Sequence, residues 1–426
     1  MGAIAVWGTW HLGSVHAACL AELGNRVRAT DPDPAVVAGL SQGNAPLYEP
    51  GLAEMLRKHL ATGRLSIHSP DDSELGRADA IFLTADTEVD DDDRVHLASV
   101  ESLAEAAART AQRDVPVVMA SQVPAGTTER LVARMSELSG RVLRPVCMPE
   151  NLRLGTALEN FLRPDRLVIG STDAAAADAI LALYGLDCPV LRMGLRSAEM
   201  SKHALNAYLG TLISFASETA DLCEAVGADA YDVERALRAD GRVSPKAPLR
   251  PGFGFAGGTL GRDVQILREL ARARGVQSLL MDAVLSVNRA RTRRLVDQLS
   301  RALGGLGGRA VTLLGLAYKP GTDTLRRSIA LEIARELGAA GARVSAFDPR
   351  ISRLPASAPP IALAADALAA ARGADVVVIV TEWPEFARLD WVRMGAAMRR
   401  PLVFDLKGLL DPAIAGIELR RIGVPA

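Results

Sequence analysis

Two short stretches of the chain carry polar side chains at a spacing that suits chemistry on one ligand. In SKHALN, Lys202 and Asn206 are four residues apart, so a helix brings both to one face, where they can point at the same group. The second stretch, GFGFAGGTLGRD over 252–263, has six Gly or Ala residues among its twelve, so a ligand can lie against its backbone N–H groups. It also contains the hydroxyl of Thr259 and the carboxylate of Asp263. A solvated helix face is the alternative for the lysine and the asparagine.

A third stretch, VWGTWHLG, predicts a nucleotide-binding turn near the start of the chain. It places Gly8 and Gly13 between a strand-like run and a helix-like run, and Asp31 follows at the end of the next strand. A carboxylate there holds an adenosine ribose 2′-hydroxyl and repels a 2′-phosphate, which favours NAD over NADP. Trp10 stands where the dinucleotide fingerprint has its middle glycine. The alternative is an α/β domain that needs the two glycines only for its turn.

Alternating strand-like and helix-like segments must position these residues. AIAVWG, RVRATD, AIFLTA, PVVMAS and RLVIGS predict buried parallel strands with helices between them. The stretch that begins at Arg196 and runs through SKHALN to Gly227 keeps apolar residues at helical spacing. AVTLLGLAY, ARVSAFDP, ADVVVIVTE and RPLVFDL then predict a second α/β domain. The fold class is therefore α/β, with two Rossmann-like, doubly wound parallel-sheet domains joined by a long central helix.

Composition excludes several other kinds of partner. The 426 residues carry a formal net charge of −1, so we expect no nucleic acid and no membrane surface as a partner. No apolar run reaches the roughly 18 residues of a membrane-spanning helix, and no secretory signal is expected. The four cysteines have no paired spacing, which predicts reduced thiols, a cytoplasmic location and no metal site. The long helix is too apolar to be covered by its own domains, which predicts a homodimer.

Further motifs, in a fixed order along the chain, point to one family. PLYEPGL, SQVPAGT, PENLRLG, RSAEMSKHALNAYL and GLAYKPGTDTLRRS together resemble the UDP-glucose/GDP-mannose dehydrogenase family over essentially the whole chain. The resemblance implies an NAD-dependent enzyme that oxidises the C6 alcohol of a UDP- or GDP-linked hexose twice, giving a uronic acid. It also implies an NAD-binding Rossmann-type domain at 1–193, a central helical dimerisation and active-site domain at 194–300, and a Rossmann-like nucleotide-sugar domain at 301–426.

The resemblance also assigns roles to individual residues. Lys202 is expected to stabilise the alkoxide or oxyanion at C6, Asn206 to help position it, and Asp263 to hold a water. Glu150 matches the family's acid/base glutamate, and the alternative for it is a surface carboxylate at a strand end. Thr259 takes the place of the family's catalytic cysteine and completes the expected catalytic set. The expected NAD-binding residues are Gly8, Thr9, Trp10, His11, Leu12, Gly13, Asp31, Thr87, Gln122 and Arg326. The expected substrate-binding residues are Glu150, Asn151, Leu152, Arg153, Lys202, Asn206, Arg250, Phe253, Phe255, Gly257, Tyr318, Lys319 and Lys407.

Departures from the family pattern cluster at the predicted site. Gln122 stands where the family usually has a hydroxyl residue, Leu154 replaces a second glutamate, and Asp86 replaces a glycine beside Thr87. In the family, the cysteine traps the C6 aldehyde as a thiohemiacetal, whereas the Thr259 hydroxyl has a far higher pKa and no obvious base in the sequence. We therefore expect oxidation at C6 without a covalent cysteine intermediate. The alternatives are an aldehyde-forming enzyme, a redox-neutral epimerase or isomerase using transient NADH, and an inactive nucleotide-sugar-binding relative.

Overall fold

The structure, a computed structural model, describes residues 2–90, 93–255, 259–325 and 327–425. The chain divides into two compact units, Met1–Leu205 and Asn206–Ala426. Each unit is built around its own twisted, mainly parallel sheet. The division falls inside one long helix, α8 (Leu195–Val226).

The first unit contains ten strands and seven complete helices besides the first part of α8. The strands are β1 (Ala3–Trp7), β2 (Arg26–Thr30), β3 (Leu65–Ile67), β4 (Ala80–Leu83), β5 (Glu88–Val89), β6 (Val95–His96), β7 (Pro116–Met119), β8 (Arg144–Cys147), β9 (Leu167–Ser171) and β10 (Val190–Met193). The helices are α1 (His11–Glu22), α2 (Pro34–Ser41), α3 (Leu52–Ala61), α4 (Ala98–Thr110), α5 (Thr127–Ser139), α6 (Ala157–Leu162) and α7 (Ala174–Tyr184), with a 3₁₀ helix at Ser73–Arg77. These counts refer to the described residues.

Eight of these strands form one sheet in the order β10-β9-β8-β7-β4-β1-β2-β3, and β5 and β6 pair separately. Helices cover both faces of this sheet. Along β1, Ile4 and Val6 pack in one apolar cluster while Ala5 and Trp7 pack in another. This alternation follows from the two-residue repeat of a strand, and burial on both faces explains the continuous apolar runs in the sequence.

The second unit contains a six-stranded parallel sheet in the order β13-β12-β11-β14-β15-β16. Its strands are β11 (Ala310–Leu314), β12 (Arg343–Phe347), β13 (Ala362–Leu363), β14 (Val376–Ile379), β15 (Leu402–Asp405) and β16 (Glu418–Arg421). Its helices, after the end of α8, are α9 (Ala230–Ala239), α10 (Leu260–Ala273), α11 (Leu279–Leu303), α12 (Ile329–Ala339), α13 (Ala367–Ala371), α14 (Pro384–Ala387) and α15 (Trp391–Ala397).

The predicted fold class is confirmed, since both sheets and the long helix form where the sequence pattern puts them. One strand differs from its prediction. β9, predicted as a parallel strand from RLVIGS, is parallel to β10 but antiparallel to β8. The sequence pattern could not reveal this, because a buried strand has the same apolar composition in either direction.

Neither a membrane-spanning helix nor a cluster of metal-ligating side chains is found in the part of the chain that the structure describes. Within the described residues, every helix is too short or too polar to span a lipid bilayer. The same part of the chain holds no group of three or more His, Cys, Asp or Glu side chains arranged to hold a metal ion.

Candidate active site

The turn after β1 has the close backbone approach that its glycines suggest. Gly8 has a φ of 88°, and a Cβ there would lie 2.9 Å from the backbone of Ala85. A Cβ at Gly13 would lie 1.9 Å from the carbonyl oxygen of Gly8, so only glycine lets α1 pass this close to the end of β1. The Thr84 hydroxyl fixes the turn by donating to the carbonyls of Trp7 at 2.9 Å and Gly8 at 2.8 Å.

The start of α1 and the end of β2 present groups that fit a dinucleotide. Among the described side chains, none caps α1 at Trp10, and its first turn holds no acidic residue. Such open N–H groups at a helix start bind phosphate oxygens. The Asp31 carboxylate accepts hydrogen bonds from Thr9 N at 2.6 Å and Asp33 N at 3.0 Å, and a carboxylate has further lone pairs for a ribose hydroxyl. The turn and Asp31 therefore fit the pyrophosphate and ribose of NAD.

Two other residues of the predicted NAD set follow neighbouring strands. Thr87 is buried and comes after β4, and Gln122 is half-buried and comes after β7. Because β1, β4 and β7 are adjacent and parallel, their carboxyl ends share one edge of the sheet. The fold therefore brings both residues to the edge that carries Gly8, where nucleotides bind in sheets of this kind. Arg326, predicted for the same set, lies outside the described residues.

The first turns of α8 hold the loop that carries Gln122. The buried Glu199 carboxylate accepts hydrogen bonds from Gly126 N at 2.5 Å and Thr128 N at 2.8 Å, at the start of α5. His203 Nε2 donates to the Val123 carbonyl at 2.8 Å. The SQVPAGT motif and the helix pattern do not predict this contact, because nothing in local spacing shows that an acid on one helix caps another.

Glu49, in the PLYEPGL motif, organises the loop around PENLRLG. Its carboxylate accepts hydrogen bonds from Gly155 N at 2.9 Å and Ala157 N at 2.8 Å, and it lies 3.0 Å from His11 Nε2. Burial opposes ionisation, but these three contacts together lower the pKa of Glu49. His11 was predicted to bind NAD, and the structure also gives it this supporting contact. The PLYEPGL motif by itself indicates no such role for Glu49.

Three predicted residues of the catalytic and substrate sets meet in the first unit. Glu150 and Asn151 follow β8, and the Lys202 ammonium donates to Asn151 Oδ1 at 3.2 Å. The Glu150 carboxyl is mostly buried, with 16% of its side chain exposed, and its Oε1 lies 3.2 Å from His16 Nε2. Next along the chain, Leu152 packs against the apolar core while Arg153 is exposed. The short loop after β8 thus carries Glu150 and also contacts Lys202 of α8 through Asn151.

Asn206 and Asp263 meet in the second unit. Both are buried, with 4% and 0% of their surface exposed, and Asn206 Nδ2 donates to the Asp263 carboxylate. Asp263 lies in the first turn of α10, and Asn206 lies one turn beyond Lys202 on α8. This pairing holds a carboxylate and an amide rigidly, as a site for a reacting group requires.

Thr259 lies at the N-terminal end of α10, four residues before Asp263. Its side chain is exposed and makes no capping hydrogen bond to the helix. It does hydrogen-bond the phenol of Tyr318, which lowers the pKa of Tyr318 against a larger increase caused by burial. Tyr318 therefore stays protonated at neutral pH and does not act as a base toward the threonine.

The predicted substrate residues before α10 are placed mainly by the core. Phe253 and Phe255 are buried in separate apolar clusters. The side-chain amide of Asn288 accepts a hydrogen bond from Phe255 N at 2.8 Å and donates one to the Phe255 carbonyl at 2.9 Å. Arg250 donates to the carbonyl of Gly408. Gly257 lies outside the described residues, and substrate contact by the others stays a prediction.

The remaining predicted substrate residues follow strands of the second sheet. Tyr318 and Lys319 come after β11, and Lys407 comes after β15, where its ammonium lies 3.4 Å from Glu382 Oε2. β14 lies between these two parallel strands, so the three residues lie toward the same edge of the sheet. Asp348, after β12, accepts hydrogen bonds at this edge from the backbone of 316–317, a role that no motif in the sequence indicates.

Comparison with known proteins assigns the family. Three family profiles match consecutive parts of the chain: the NAD binding domain of the UDP-glucose/GDP-mannose dehydrogenase family at 2–186, its central domain at 196–290 and its UDP binding domain at 312–412. The chain belongs to this family. It is therefore an NAD-dependent oxidoreductase that acts on a nucleotide sugar, and the predicted cofactor NAD is confirmed.

Similar proteins match the chain over nearly its whole length. The UDP-glucose 6-dehydrogenase of Pseudomonas aeruginosa is 36% identical, covering 96% of this chain and 94% of the relative. The UDP-glucose 6-dehydrogenase TuaD of Bacillus subtilis is 34% identical, covering 100% of this chain and 94% of the relative. The structure of a UDP-glucose dehydrogenase from Pyrobaculum islandicum matches with a TM-score of 0.90 at 36% identity, covering 100% of this chain and 98% of that one.

Proposed function

We propose that this family member oxidises C6 of a UDP- or GDP-linked hexose to the carboxylate without a covalent cysteine intermediate. The observation that carries the proposal is the buried pair of Asn206, on α8, and Asp263, in the first turn of α10, the helix that directly follows Thr259. A carboxylate and an amide are in place there, and the position expected for a thiol carries a hydroxyl. The relatives at 36% and 34% identity are UDP-glucose 6-dehydrogenases, which supports UDP-glucose as the first substrate to test.

The cysteines of this chain support a route without a thiol. Cys19, Cys147 and Cys223 are buried and Cys188 is half-buried, and none lies in the 252–263 loop. Burial, with a smaller contribution from nearby carboxylates, raises the pKa of Cys19 and of Cys147 far above the ordinary thiol value. A thiol that stays protonated is a weak nucleophile. All four are unpaired, as we propose for a protein of the reducing cytoplasm.

In the proposed reaction, each of the four predicted catalytic side chains other than Thr259 has its own role. NAD⁺, when bound at the glycine turn, accepts a hydride from C6 in each oxidation. The Lys202 ammonium stabilises the negative charge that develops on the C6 oxygen, and Asn206, one helical turn away, orients the same group. Asp263 holds a water, which adds to the C6 aldehyde so that the hydrate, and not a thiohemiacetal, is oxidised to the acid. Glu150 accepts a proton released in these steps.

We also propose that the chain forms a homodimer through the part of α8 that runs from Tyr208 to Val226. Tyr208, Phe215 and Leu222 are seven residues apart, and they are 59%, 50% and 63% exposed in the single chain. Val226 continues the stripe and is 78% exposed. Large apolar side chains at this spacing form the seam between paired helices.

Product analysis tests the proposed function. Purified protein is incubated with NAD⁺ and a panel of UDP- and GDP-hexoses, and NADH and sugar products are followed by absorbance and mass. The acid requires two NADH per sugar consumed, the aldehyde one, and an epimer or isomer none. The proposal expects two with UDP-glucose or another member of the panel. If the protein consumes no sugar in the panel, the proposed function is wrong and the inactive nucleotide-sugar-binding relative is the remaining alternative.

A further inference from the structure

α1 carries a histidine that is not part of the predicted NAD or substrate sets. His16 is fully buried, and its ring lies edge-on to Phe161, with ring centroids 5.0 Å apart. Its Nδ1 lies 2.9 Å from the carbonyl oxygen of Leu12, and its Nε2 lies 3.2 Å from Oε1 of Glu150. The second contact has ion-pair distance without hydrogen-bond alignment, and Nε2 has no hydrogen-bond partner among the described residues.

These two contacts determine where the protons of the pair must be. The Leu12 carbonyl can only accept a hydrogen bond, so Nδ1 carries a proton and donates it. In neutral imidazole, Nε2 would then present a lone pair to a carboxylate oxygen, and two acceptors at 3.2 Å repel each other. The contact is attractive only when one further proton lies between Nε2 and Oε1. His16 and Glu150 therefore hold one proton in common, as imidazolium with carboxylate or as imidazole with carboxylic acid.

The neighbouring titratable groups among the described residues either stay neutral or have partners of their own. Burial, together with the charge of Glu150, raises the pKa of Cys19 and of Tyr184, so both stay neutral. Arg166 lines the same open cavity as Glu150, and a guanidinium only donates hydrogen bonds. The other carboxylates acting on Cys19 have histidine partners of their own, namely Glu22 with His59 and Glu49 with His11.

We infer that His16 is a positioning residue for Glu150, holding its carboxyl group oriented toward the cavity through the shared proton. The inference rests on the proposed function, in which Glu150 accepts a proton released at C6. Without the shared proton, Nε2 repels Oε1 and the carboxylate loses its position. When it is present, Oε1 is held at the ring, and Oε2 is the oxygen available to water or sugar.

The test compares substitutions that remove or replace the Nε2–H donor. His16→Leu removes the donor, and we expect kcat to fall about tenfold, which is less than the hundredfold or more of a general base itself, with KM within about twofold. His16→Gln places an amide N–H near the position of Nε2. It should recover most of kcat. We expect kcat of the wild-type chain to decline at alkaline pH and kcat of His16→Gln to lack this decline, because the amide does not lose its proton.

His59→Gln is the matched control. His59 is also buried, and its Nε2 lies 2.6 Å from Glu22 Oε2 in the same unit, but Glu22 belongs to neither predicted set. Its pH profile should match the wild-type profile. Thermal unfolding of all variants gives their stability separately. If His16→Leu keeps the wild-type kcat, or if His16→Gln gives no recovery and no change in the alkaline limb, His16 has only a structural role and the inference is wrong.

NMR spectroscopy tests, independently of turnover, whether a proton lies between His16 Nε2 and Glu150. With ¹⁵N-labelled histidine, the Nε2 resonance of His16 should be that of a protonated or proton-sharing nitrogen at pH 7 in the wild-type chain. In Glu150→Gln it should become that of a bare nitrogen, while Nδ1 keeps its proton. The same bare Nε2 in both proteins would overturn the inference. An inactive wild-type chain with the expected shift would refute the proposed function and leave the shared proton standing.

Discussion

Replacement of Thr259 by alanine should cost little activity, although the family resemblance predicts that this residue takes the position of the family's nucleophile. The hydroxyl makes no capping hydrogen bond to α10, and the helix contact at this position is the backbone bond from Asp263 N to the Thr259 carbonyl at 3.2 Å. Alanine keeps that bond. The loss is then confined to the hydrogen bond with Tyr318, worth about 1 kcal/mol. If all of it acted in the transition state, kcat would fall about fivefold.

The assay is initial-rate formation of NADH with saturating NAD⁺ and nucleotide sugar. Lys202→Ala, measured beside Thr259→Ala, should lose roughly a hundredfold or more, because it removes the charge facing the developing oxyanion. Thr259→Cys asks whether a thiol at this position can enter the reaction and form a covalent intermediate detectable by mass. If Thr259→Ala abolishes activity while the protein stays folded, the threonine is a nucleophile or proton relay, and the reasoning about this loop is refuted.

Three further predictions concern cofactor choice, assembly and acid stability. NAD⁺ should bind more tightly than NADP⁺ in fluorescence titrations, and Asp31→Asn should narrow the difference; equal affinities in the wild-type chain would contradict the assignment. Leu222→Glu, with Phe215→Glu beside it, should convert the dimer to a monomer in light scattering, and a wild-type monomer at micromolar concentration would rule the dimer out. Because its folded-state pKa is lowered, Glu49 should stabilise the chain relative to Glu49→Gln at neutral pH. Denaturant unfolding should show this advantage disappearing as pH falls below the ordinary glutamate range near 4; an advantage independent of pH would count against it.

The sequence predicted the elements of the fold better than the contacts between them. Apolar runs and helical periodicity located β1, β2, β4 and the long helix, because each is a local pattern of burial. The antiparallel pairing of β8 with β9 was not predicted, because a buried strand has the same apolar composition whichever way it runs. Glycine spacing likewise located the turn at Gly8, but not the Thr84 hydroxyl that fixes it.

At the candidate site, residue types were predictable and their partners were not. Family motifs indicated Lys202, Asn206, Asp263 and Glu150, and the structure pairs Asn206 with Asp263. The partners that set the charge and position of the others come from distant parts of the chain, as with His16 for Glu150. Only folding brings such pairs together, so the same histidine in the sequence indicates no more than one buried position on a helix.

The number of NADH molecules formed per UDP-glucose consumed, before and after thiol alkylation, tests the central claim most directly. A catalytic thiol must be open to a sugar and therefore to iodoacetamide, whereas a thiol protected by burial cannot reach the substrate. Oxidation at C6 without a cysteine intermediate predicts two NADH per sugar, with the rate unchanged by alkylation. Loss of the second NADH in alkylated protein that remains folded would contradict the account, because it would place a thiol in the aldehyde oxidation step.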